Sequence, residues 1–122
     1  MSNNTNRIKK RISFCSCNME HLVSPDNIIR IDIESDLLSA ELLNGDKVQK
    51  IHLTSTLKKY EAALRGLGFV RVNHQTLVNV KFISCLKAIE RRRLVVLNDV
   101  EIAVTRRKWP FLKQFIAQWC GN

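Results

Sequence analysis

The chain has 122 residues, a length that fits one domain, and hydrophobic residues make up 45% of it, which is enough for one modest core. Twenty lysines and arginines face eleven acidic residues, so the formal net charge is +9 and a polyanionic partner is favoured. No apolar run approaches the roughly 20 residues that span a bilayer, and the N-terminus has no apolar signal core, so we expect a cytoplasmic protein without a membrane partner.

The N-terminal end precedes the first structural signal. Residues 1–12 are polar and basic, and we expect them to form a flexible segment ahead of a single domain over residues 13–122. Between residues 8 and 18, Ile12 and Phe14 stand among polar residues and indicate a first strand. The chain shows no internal repeat, no low-complexity segment and no linker that would divide this domain.

A strand and a hairpin follow in the first half of the chain. Ile29, Ile31 and Ile33 alternate with charged residues, and this period of two is typical of a half-buried strand. Asn44 and Gly45 stand between two apolar runs and predict a hairpin, because both residues tolerate positive φ.

The next element is a short helix. Leu57, Tyr60 and Leu64 recur at helical spacing before a glycine stop at Gly66. The hydroxyls of Thr54, Ser55 and Thr56 are the candidate N-caps. Beyond this helix the pattern returns to strands.

Two β-type runs, 69–72 and 77–80, bracket the polar tetrapeptide 73–76. Farther along, Asn98 and Asp99 separate two apolar runs and predict a second hairpin. The segment 73–76 is therefore expected to be an exposed connection at the end of two strands.

A C-terminal helix is predicted around Pro110, which can occupy a first helical turn. One face of this helix is apolar, and we interpret it as a core or docking face. Its residues are Phe111, Leu112, Phe115, Ile116 and Trp119. The whole pattern contains seven or eight short strands and two short helices, so the predicted fold class is mainly β.

The four cysteines fit no zinc template, because the Cys-x-Cys pair lacks a second close pair. They are Cys15, Cys17, Cys85 and Cys120, and we expect free thiols packed in the core. No nucleophile elbow, P-loop, zinc-protease or dinucleotide motif occurs. We predict no catalytic residue, no metal site and no cofactor, and we do not expect an enzyme.

The basic charge is unevenly distributed. Residues 62–88 and 102–122 contain no acidic residue, so positive potential is concentrated there. Helix-turn-helix, zinc-finger and heptad patterns are absent, since the internal helix is followed by a strand. A nucleic acid would therefore be read by loops or strands.

The segment Phe69–Ile83, FVRVNHQTLVNVKFI, carries a family resemblance. It is similar to the LytTR pattern of Phe-x-Arg-x-His-Arg-Ser, two apolar residues, Val-Asn, three variable residues and Ile. The matching residues are Phe69, Arg71, Leu77, Val78, Asn79 and Ile83. The segment 104–107, Val-Thr-Arg-Arg, resembles the later Val-Ser-Arg-Arg element of the family. The resemblance covers roughly residues 13–117.

The LytTR family consists of DNA-binding output domains of bacterial response regulators. The resemblance implies an elongated stack of small antiparallel β-sheets, with one short internal helix and a C-terminal helix. It also implies sequence-specific binding of double-stranded DNA by loops that enter successive major grooves. The implied partners are a second copy on direct-repeat sites and, outside this chain, a receiver domain or an upstream kinase of a two-component system.

The resemblance and the side-chain chemistry together predict the DNA contacts. Asn73, His74 and Gln75 replace the family's His-Arg-Ser and can reach base edges, so we expect an unusual target sequence. Arg106 is predicted to read a base. The predicted phosphate contacts are Arg107, Lys81, Lys108 and Arg91.

Two nearby positions are left off this set of contacts. Asn79 sits among strand residues and is predicted to be a buried structural amide. The upstream loop around residues 35–37 has no basic residue, so no base contact is assigned to it.

Two alternatives remain open. A single-stranded nucleic-acid binder would need stacking aromatics on a basic groove, for which Trp109 and Phe82 are available. A protein-interaction or sensory module could keep the fold and lose DNA binding, and the altered segment 73–75 gives that alternative weight.

Overall fold

The computed structural model describes residues 10–121 and contains ten strands and two helices over that range. The elements are β1 (Ile12–Ser16), β2 (Met19–Val23), β3 (Ile28–Glu34), β4 (Leu37–Asn44), β5 (Lys47–Leu53), α1 (Leu57–Ala63), β6 (Phe69–Asn73), β7 (Thr76–Asn79), β8 (Ile83–Ile89), β9 (Arg92–Leu97), β10 (Val100–Ala103) and α2 (Lys108–Cys120). The predicted mainly β class, with one internal and one C-terminal helix, is confirmed.

The strands form three antiparallel sheets. A central sheet has the order β5-β4-β3-β7-β6, a two-stranded sheet consists of β1 and β2, and a three-stranded sheet has the order β10-β9-β8. The prediction of seven or eight strands was too low. The burial along β2 and β8 explains the error, because neither strand has a fully buried residue and so neither shows a clear alternation.

The first hydrophobic core lies on one face of the central sheet. Phe14 of β1 and Tyr60 of α1 meet there edge to face, with ring centroids 5.1 Å apart. Leu57 and Leu64 are buried in the same cluster, so the helical spacing seen in the sequence is the packing face of α1. Of the three candidate N-cap hydroxyls, that of Thr56 accepts a hydrogen bond from the Lys59 amide and caps the helix.

The second hydrophobic core lies on the opposite face. Val70 and Val72 of β6 and Val78 of β7 pack there against the three-stranded sheet and against Leu112 of α2. Val95 and Leu97 of β9 are fully buried in the same cluster. The central sheet thus separates two cores, and the predicted stack of small sheets is confirmed.

A β-bulge in β3 changes the expected alternation. Ile28 and Ile29 are both fully buried, and the pairing with β4 shifts register between Ile28 and Arg30. Ile29 therefore packs in the second core, whereas Ile31 and Ile33 contact the first. The predicted period of two holds only after the bulge.

The two predicted hairpins form, with turns of two residues each. Asn44 pairs with Lys47, so the first turn consists of Gly45 and Asp46, with φ of 68° at the glycine. In the second hairpin, Asn98 and Asp99 both adopt positive φ, which asparagine and aspartate tolerate better than most residues. Local turn chemistry sets the register in both cases.

The cysteines are free, as predicted, but the expected core location was wrong. All four are exposed: Cys15, Cys17, Cys85 and Cys120. Phe14 takes the inward position of β1, so its neighbour Cys15 points outward, and the others lie at a turn, on an exposed strand face and in the last turn of α2.

The predicted flexible segment at residues 1–12 lies mostly outside the described residues, which begin at residue 10. Ile12 is the first residue of β1 and is buried. The division of the chain between residues 12 and 13 stays a prediction. Across residues 10–121, no helix is both long enough and apolar enough to cross a membrane.

Candidate nucleic-acid interface

Two loops that carry predicted DNA contacts are direct neighbours. The β6–β7 turn holds His74 and Gln75, and the β10–α2 loop spans residues 104–107. The Thr105 amide donates to the Val72 carbonyl at 3.1 Å. The Asn73 side-chain amide donates to the Ala103 carbonyl at 2.7 Å. These two bonds fix the two loops side by side.

Two more turns adjoin this pair. The Ile33 amide donates to the Gln75 carbonyl at 2.9 Å, which brings the β3–β4 turn next to the β6–β7 turn. On the other side, the Val104 amide donates to the Arg93 carbonyl at 2.9 Å and brings the start of β9 next to the β10–α2 loop. The connections therefore form a row, with the β6–β7 turn and the β10–α2 loop in its middle.

The β6–β7 turn is held from within by Arg71. Its Nη1 donates to Glu61 Oε1 at 2.7 Å, its Nη2 to the His74 carbonyl at 2.7 Å, and its Nε to the Asn73 carbonyl at 3.3 Å. Arg71 follows Phe69 on the face of β6 that looks toward α1, where Glu61 lies. One guanidinium thus links α1 to the backbone of the turn.

The β10–α2 loop is ordered by Thr105. Its carbonyl accepts from the amides of Lys108 and Trp109 at 3.1 and 3.0 Å, and its hydroxyl accepts from the Lys108 amide at 3.2 Å. These bonds satisfy amides of the first turn of α2, which have no partner inside the helix. Pro110 falls in that first turn, as the sequence predicts, where its missing N–H costs nothing.

Basic side chains surround two clefts along this row. We call the first the His74 cleft; it has a volume of about 560 Å³. It is lined by Glu61, Arg71, Asn73, His74, Thr105, Arg107 and Lys108. His74 and Arg107 are exposed at its rim, so both are accessible to a large partner.

We call the second the Arg106 cleft; it has a volume of about 510 Å³. It is lined by Glu90, Arg91, Arg93, Val104, Arg106, Trp109 and Pro110. The Arg93 guanidinium lies 5.8 Å from the centre of the Trp109 ring, within the range of a cation–π contact. Arg106 and Arg107 are adjacent in sequence and line different clefts.

The charges in the two clefts differ in how far they are neutralised. Within the described part of the chain, Arg91, Arg106 and Arg107 form no ion pair, whereas Arg71 is paired with Glu61. Outside the clefts, Arg30, Lys50 and Lys87 are neutralised by acidic partners. Lys87 hydrogen-bonds Glu101 at 2.5 Å, which raises the lysine pKa and lowers the glutamate pKa. The clefts therefore retain free positive charge.

The structure brings six of the eight predicted contact residues to the two clefts. They are Asn73, His74, Arg107 and Lys108 in one cleft and Arg91 and Arg106 in the other. Gln75 is exposed beside His74 in the same turn. These placements support the predicted contacts other than that of Asn73, whose amide is engaged inside the protein, and all of the contacts stay predictions.

Lys81 lies apart from the others. It follows β7, whereas His74 precedes β7, so a strand of four residues, about 13 Å long, separates them. Its ammonium group donates to the Asp26 carbonyl at 3.3 Å and lies 5.6 Å from the Phe82 ring centre. A phosphate contact by Lys81 would be made at the far end of the β6–β7 hairpin.

Asn79, close to Lys81, is the buried structural amide that the sequence predicts. It is 4% exposed, and its Nδ2 donates to the carbonyls of Ile28 and Pro25 at 2.9 and 3.2 Å. Its Oδ1 accepts from the Lys81 amide at 3.0 Å. This amide holds two segments of the chain together and is not available to a ligand.

Sequence reasoning left two arginines of the clefts, Arg71 and Arg93, out of the predicted contacts. Arg71 was recognised only as a match to the family pattern, although its strand position beside Phe69 indicates the side facing α1. Arg93 belongs to a run of three arginines, and a run gives no indication of which member faces a cleft. In residues 10–121, no group of three or more His, Cys, Asp or Glu side chains could hold a metal ion.

Comparisons with known proteins agree with this architecture. The family model of the LytTr DNA-binding domain matches residues 18–117. Among solved structures, the chain is similar to the LytTr DNA-binding domain of a protein described as a methyl-accepting/DNA response regulator from Bacillus cereus. That similarity has a TM-score of 0.69 at 13% identity and covers 88% of this chain and 97% of the other. No curated protein matches the chain.

Proposed function

Because the chain belongs to the LytTr DNA-binding domain family, we propose that it binds double-stranded DNA in a sequence-specific manner as part of a bacterial transcription regulator. It acts by binding alone, without catalysis. Its proposed place of action is the cytoplasm, where bacterial DNA lies. The same proposal includes binding of two copies to direct-repeat sites and control by a receiver domain or an upstream kinase. Family membership supports both.

The observation that carries this proposal is the placement of His74 and Arg106. Both side chains are exposed, and they project from two loops that are hydrogen-bonded to each other. The imidazole and the guanidinium can both donate to base edges, and arginine can contact guanine with two parallel bonds. Exposed donors on a rigid β framework are suited to base recognition.

The surrounding cations provide the proposed phosphate contacts. Arg107 and Lys108 flank His74, and Arg91 flanks Arg106, so each base-reading side chain has a basic neighbour in its own cleft. Phosphate contacts supply affinity and register, while base contacts supply sequence preference. The direct link between the loops keeps the proposed base contacts within about one helical turn of DNA, ~34 Å.

The single-stranded alternative has less support. Stacking would use the face of Trp109, but the Arg93 guanidinium lies over that ring. Phe82 is half-buried, and the Lys81 ammonium lies over it. A duplex does not need these faces, because it presents its base edges and phosphates.

The test begins with selection of preferred duplexes from a random DNA pool. With a selected duplex, His74→Ala and Arg106→Ala should each relax preference at particular base pairs, at a cost of about 1–3 kcal/mol. Arg107→Ala should instead weaken all duplexes about equally. Lys81→Ala is expected to act like Arg107→Ala.

Lys47→Ala is the matched control, since it removes one exposed charge beside the β4–β5 turn, outside both clefts. If Lys47→Ala lowers the affinity as much as Arg107→Ala does, DNA binding depends on the net charge of the chain and not on contacts in the clefts. Tighter binding of single strands, or no duplex binding, would favour one of the alternative functions.

A further inference from the structure

The amide of Asn73 is engaged inside the protein at both of its ends. Its Nδ2 donates to the Ala103 carbonyl at 2.7 Å, and its Oδ1 accepts from the Gln75 amide at 2.8 Å. Gln75 offers an N–H and Ala103 offers a carbonyl, so the partners allow only one orientation of the amide. Asn73 is also half-buried, unlike the exposed His74 and Gln75.

This arrangement conflicts with base reading by Asn73. Recognition of adenine by asparagine uses its oxygen and its nitrogen together. Here the two atoms face two different protein groups, and a bidentate contact would break both bonds. The chain would then lose two hydrogen bonds in order to gain two.

The same bonds lie where the two loops meet. Asn73 immediately precedes His74, and Ala103 ends β10, three residues before Arg106. The Thr105–Val72 backbone bond is a second link between these loops. One link would allow the loops to pivot about it, whereas two links fix their relative angle.

We propose that Asn73 is a positioning residue, which holds the His74 turn and the Arg106 loop at the spacing needed to read one DNA site. This inference rests on the proposed function and changes the role that the sequence predicts for Asn73. Its consequence is a shared effect: loss of the Asn73 link should disturb base reading in both loops at once.

The decisive variant is Asn73→Asp. The carboxylate keeps an acceptor for the Gln75 amide and removes the donor to the Ala103 carbonyl. Base-pair preferences of the full chain would be measured on duplexes that carry every single substitution in the selected site. Preference at the pairs assigned to His74 and at those assigned to Arg106 should fall together, by about three- to tenfold each.

Two further measurements separate positioning from loss of structure. Affinity for a non-specific duplex and the urea unfolding transition, recorded on the same samples, should show a folded variant that still binds DNA. In a chain that already carries His74→Ala and Arg106→Ala, Asn73→Asp should have no further effect on preference, because nothing remains to be positioned. Asn73→Ala, which adds no charge, should reproduce the shared loss.

The results that would overturn the positioning role can be told apart from those that would overturn the proposed base contacts. A loss confined to a third base pair would show that Asn73 itself reads a base, and unchanged preferences would show that the link is dispensable; either result overturns the proposal. If His74→Ala and Arg106→Ala already leave all preferences intact, the proposed base contacts fail first, and the positioning role fails with them.

Discussion

At the scale of single residues, Arg71 shows how one side chain can shape a loop that it does not belong to. Its guanidinium bonds Glu61 of α1 and the carbonyls of Asn73 and His74. The planar fork of arginine can reach three acceptors at fixed angles, which the single ammonium of lysine cannot do. The β6–β7 turn is therefore stabilised by the positive charge behind it.

Arg71→Lys should destabilise the chain by about 1–3 kcal/mol, because carbonyls of the turn lose charge-assisted bonds. Urea unfolding measures the stability, and preference at the base pairs assigned to His74 should fall in parallel. Glu61→Gln keeps an acceptor for the guanidinium and should have a smaller effect. Equal stability and preference in wild type and Arg71→Lys would contradict this account.

Individual residues also show the limits of sequence reading. The buried amide of Asn79 was predictable, because a polar residue inside an apolar strand run must find partners. The exposure of Cys15 was not, because cysteine alone gives no direction, and the orientation of β1 is decided by Phe14. The engagement of Asn73 also depends on Ala103, thirty residues away in sequence.

At the scale of elements, local signals predicted the hairpins and helices better than the sheet pairings. Thr56 capping α1 and the Asn98–Asp99 turn depend on neighbours within a few residues. The bulge at Ile28–Arg30 depends on β3 pairing with both β4 and β7, which a single sequence does not reveal. Long-range pairing thus accounts for the bulge.

The packing of Tyr60 in α1 predicts how the stability of the chain changes at alkaline pH. Burial raises the pKa of Tyr60 above its ordinary value of 10.0, so the folded chain holds the neutral phenol more firmly than the unfolded chain does. The stability that this contributes is complete below pH 10.0 and is lost as the pH rises through the higher folded pKa. The Tyr60→Phe variant lacks this pH-dependent contribution. Its free energy of unfolding should therefore fall less between pH 8 and high pH than that of the wild type.

Tyr60 is the chain's one tyrosine, so the ultraviolet absorbance of tyrosinate reports its ionisation directly. Unfolding free energies of wild type and Tyr60→Phe, compared from pH 8 to pH 11, provide the second measurement. Parallel curves for the two proteins, or a midpoint at or below pH 10.0 in the folded chain, would contradict the prediction.

At the scale of the whole molecule, the central sheet belongs to both cores, because each of its faces packs in one of them. Phe14 belongs to the first core, while the half-buried Trp109 packs against the second. Adjacent residues of one strand, such as Phe69 and Val70, enter opposite cores. The two cores should therefore melt together.

Phe14→Ala should lower stability by about 3–5 kcal/mol. The unfolding midpoints from tryptophan fluorescence, to which Trp109 at the second core contributes, and from far-UV circular dichroism should decrease by the same amount. Met19→Ala, in the same two-stranded sheet but exposed, should change stability by no more than about 0.5 kcal/mol. Separate transitions for the two probes would show that the cores unfold independently.

The distribution of charge over the molecule predicts the response to salt. Arg91, Arg106 and Arg107 are exposed and unpaired in the described structure, so binding should release counterions from the DNA that they contact. Arg91→Ala and Arg107→Ala should each reduce the steepness of log affinity against log salt concentration by about one. Lys47→Ala should leave the slope unchanged, and an equal reduction there would exclude local contacts as the cause.

The row of loops could not be predicted from the sequence as a whole. The family resemblance pointed to His74 and Arg106 separately, but the bonds from Asn73 to Ala103 and from Ile33 to Gln75 join segments far apart in the chain. Which cation enters which cleft depends on these same bonds. The sequence indicates which residues can contact DNA, but it does not indicate which of them lie next to each other in the fold.

The position of β5 at the rim of the central sheet has a consequence for behaviour at high concentration. An outer strand offers unpaired backbone groups to which another chain could add, and natural sheets discourage this with lysine. Lys47 is exposed on β5 and forms no ion pair in the described structure, so its charge opposes strand addition there. The cationic character suited to a polyanion thus also opposes aggregation through strand addition.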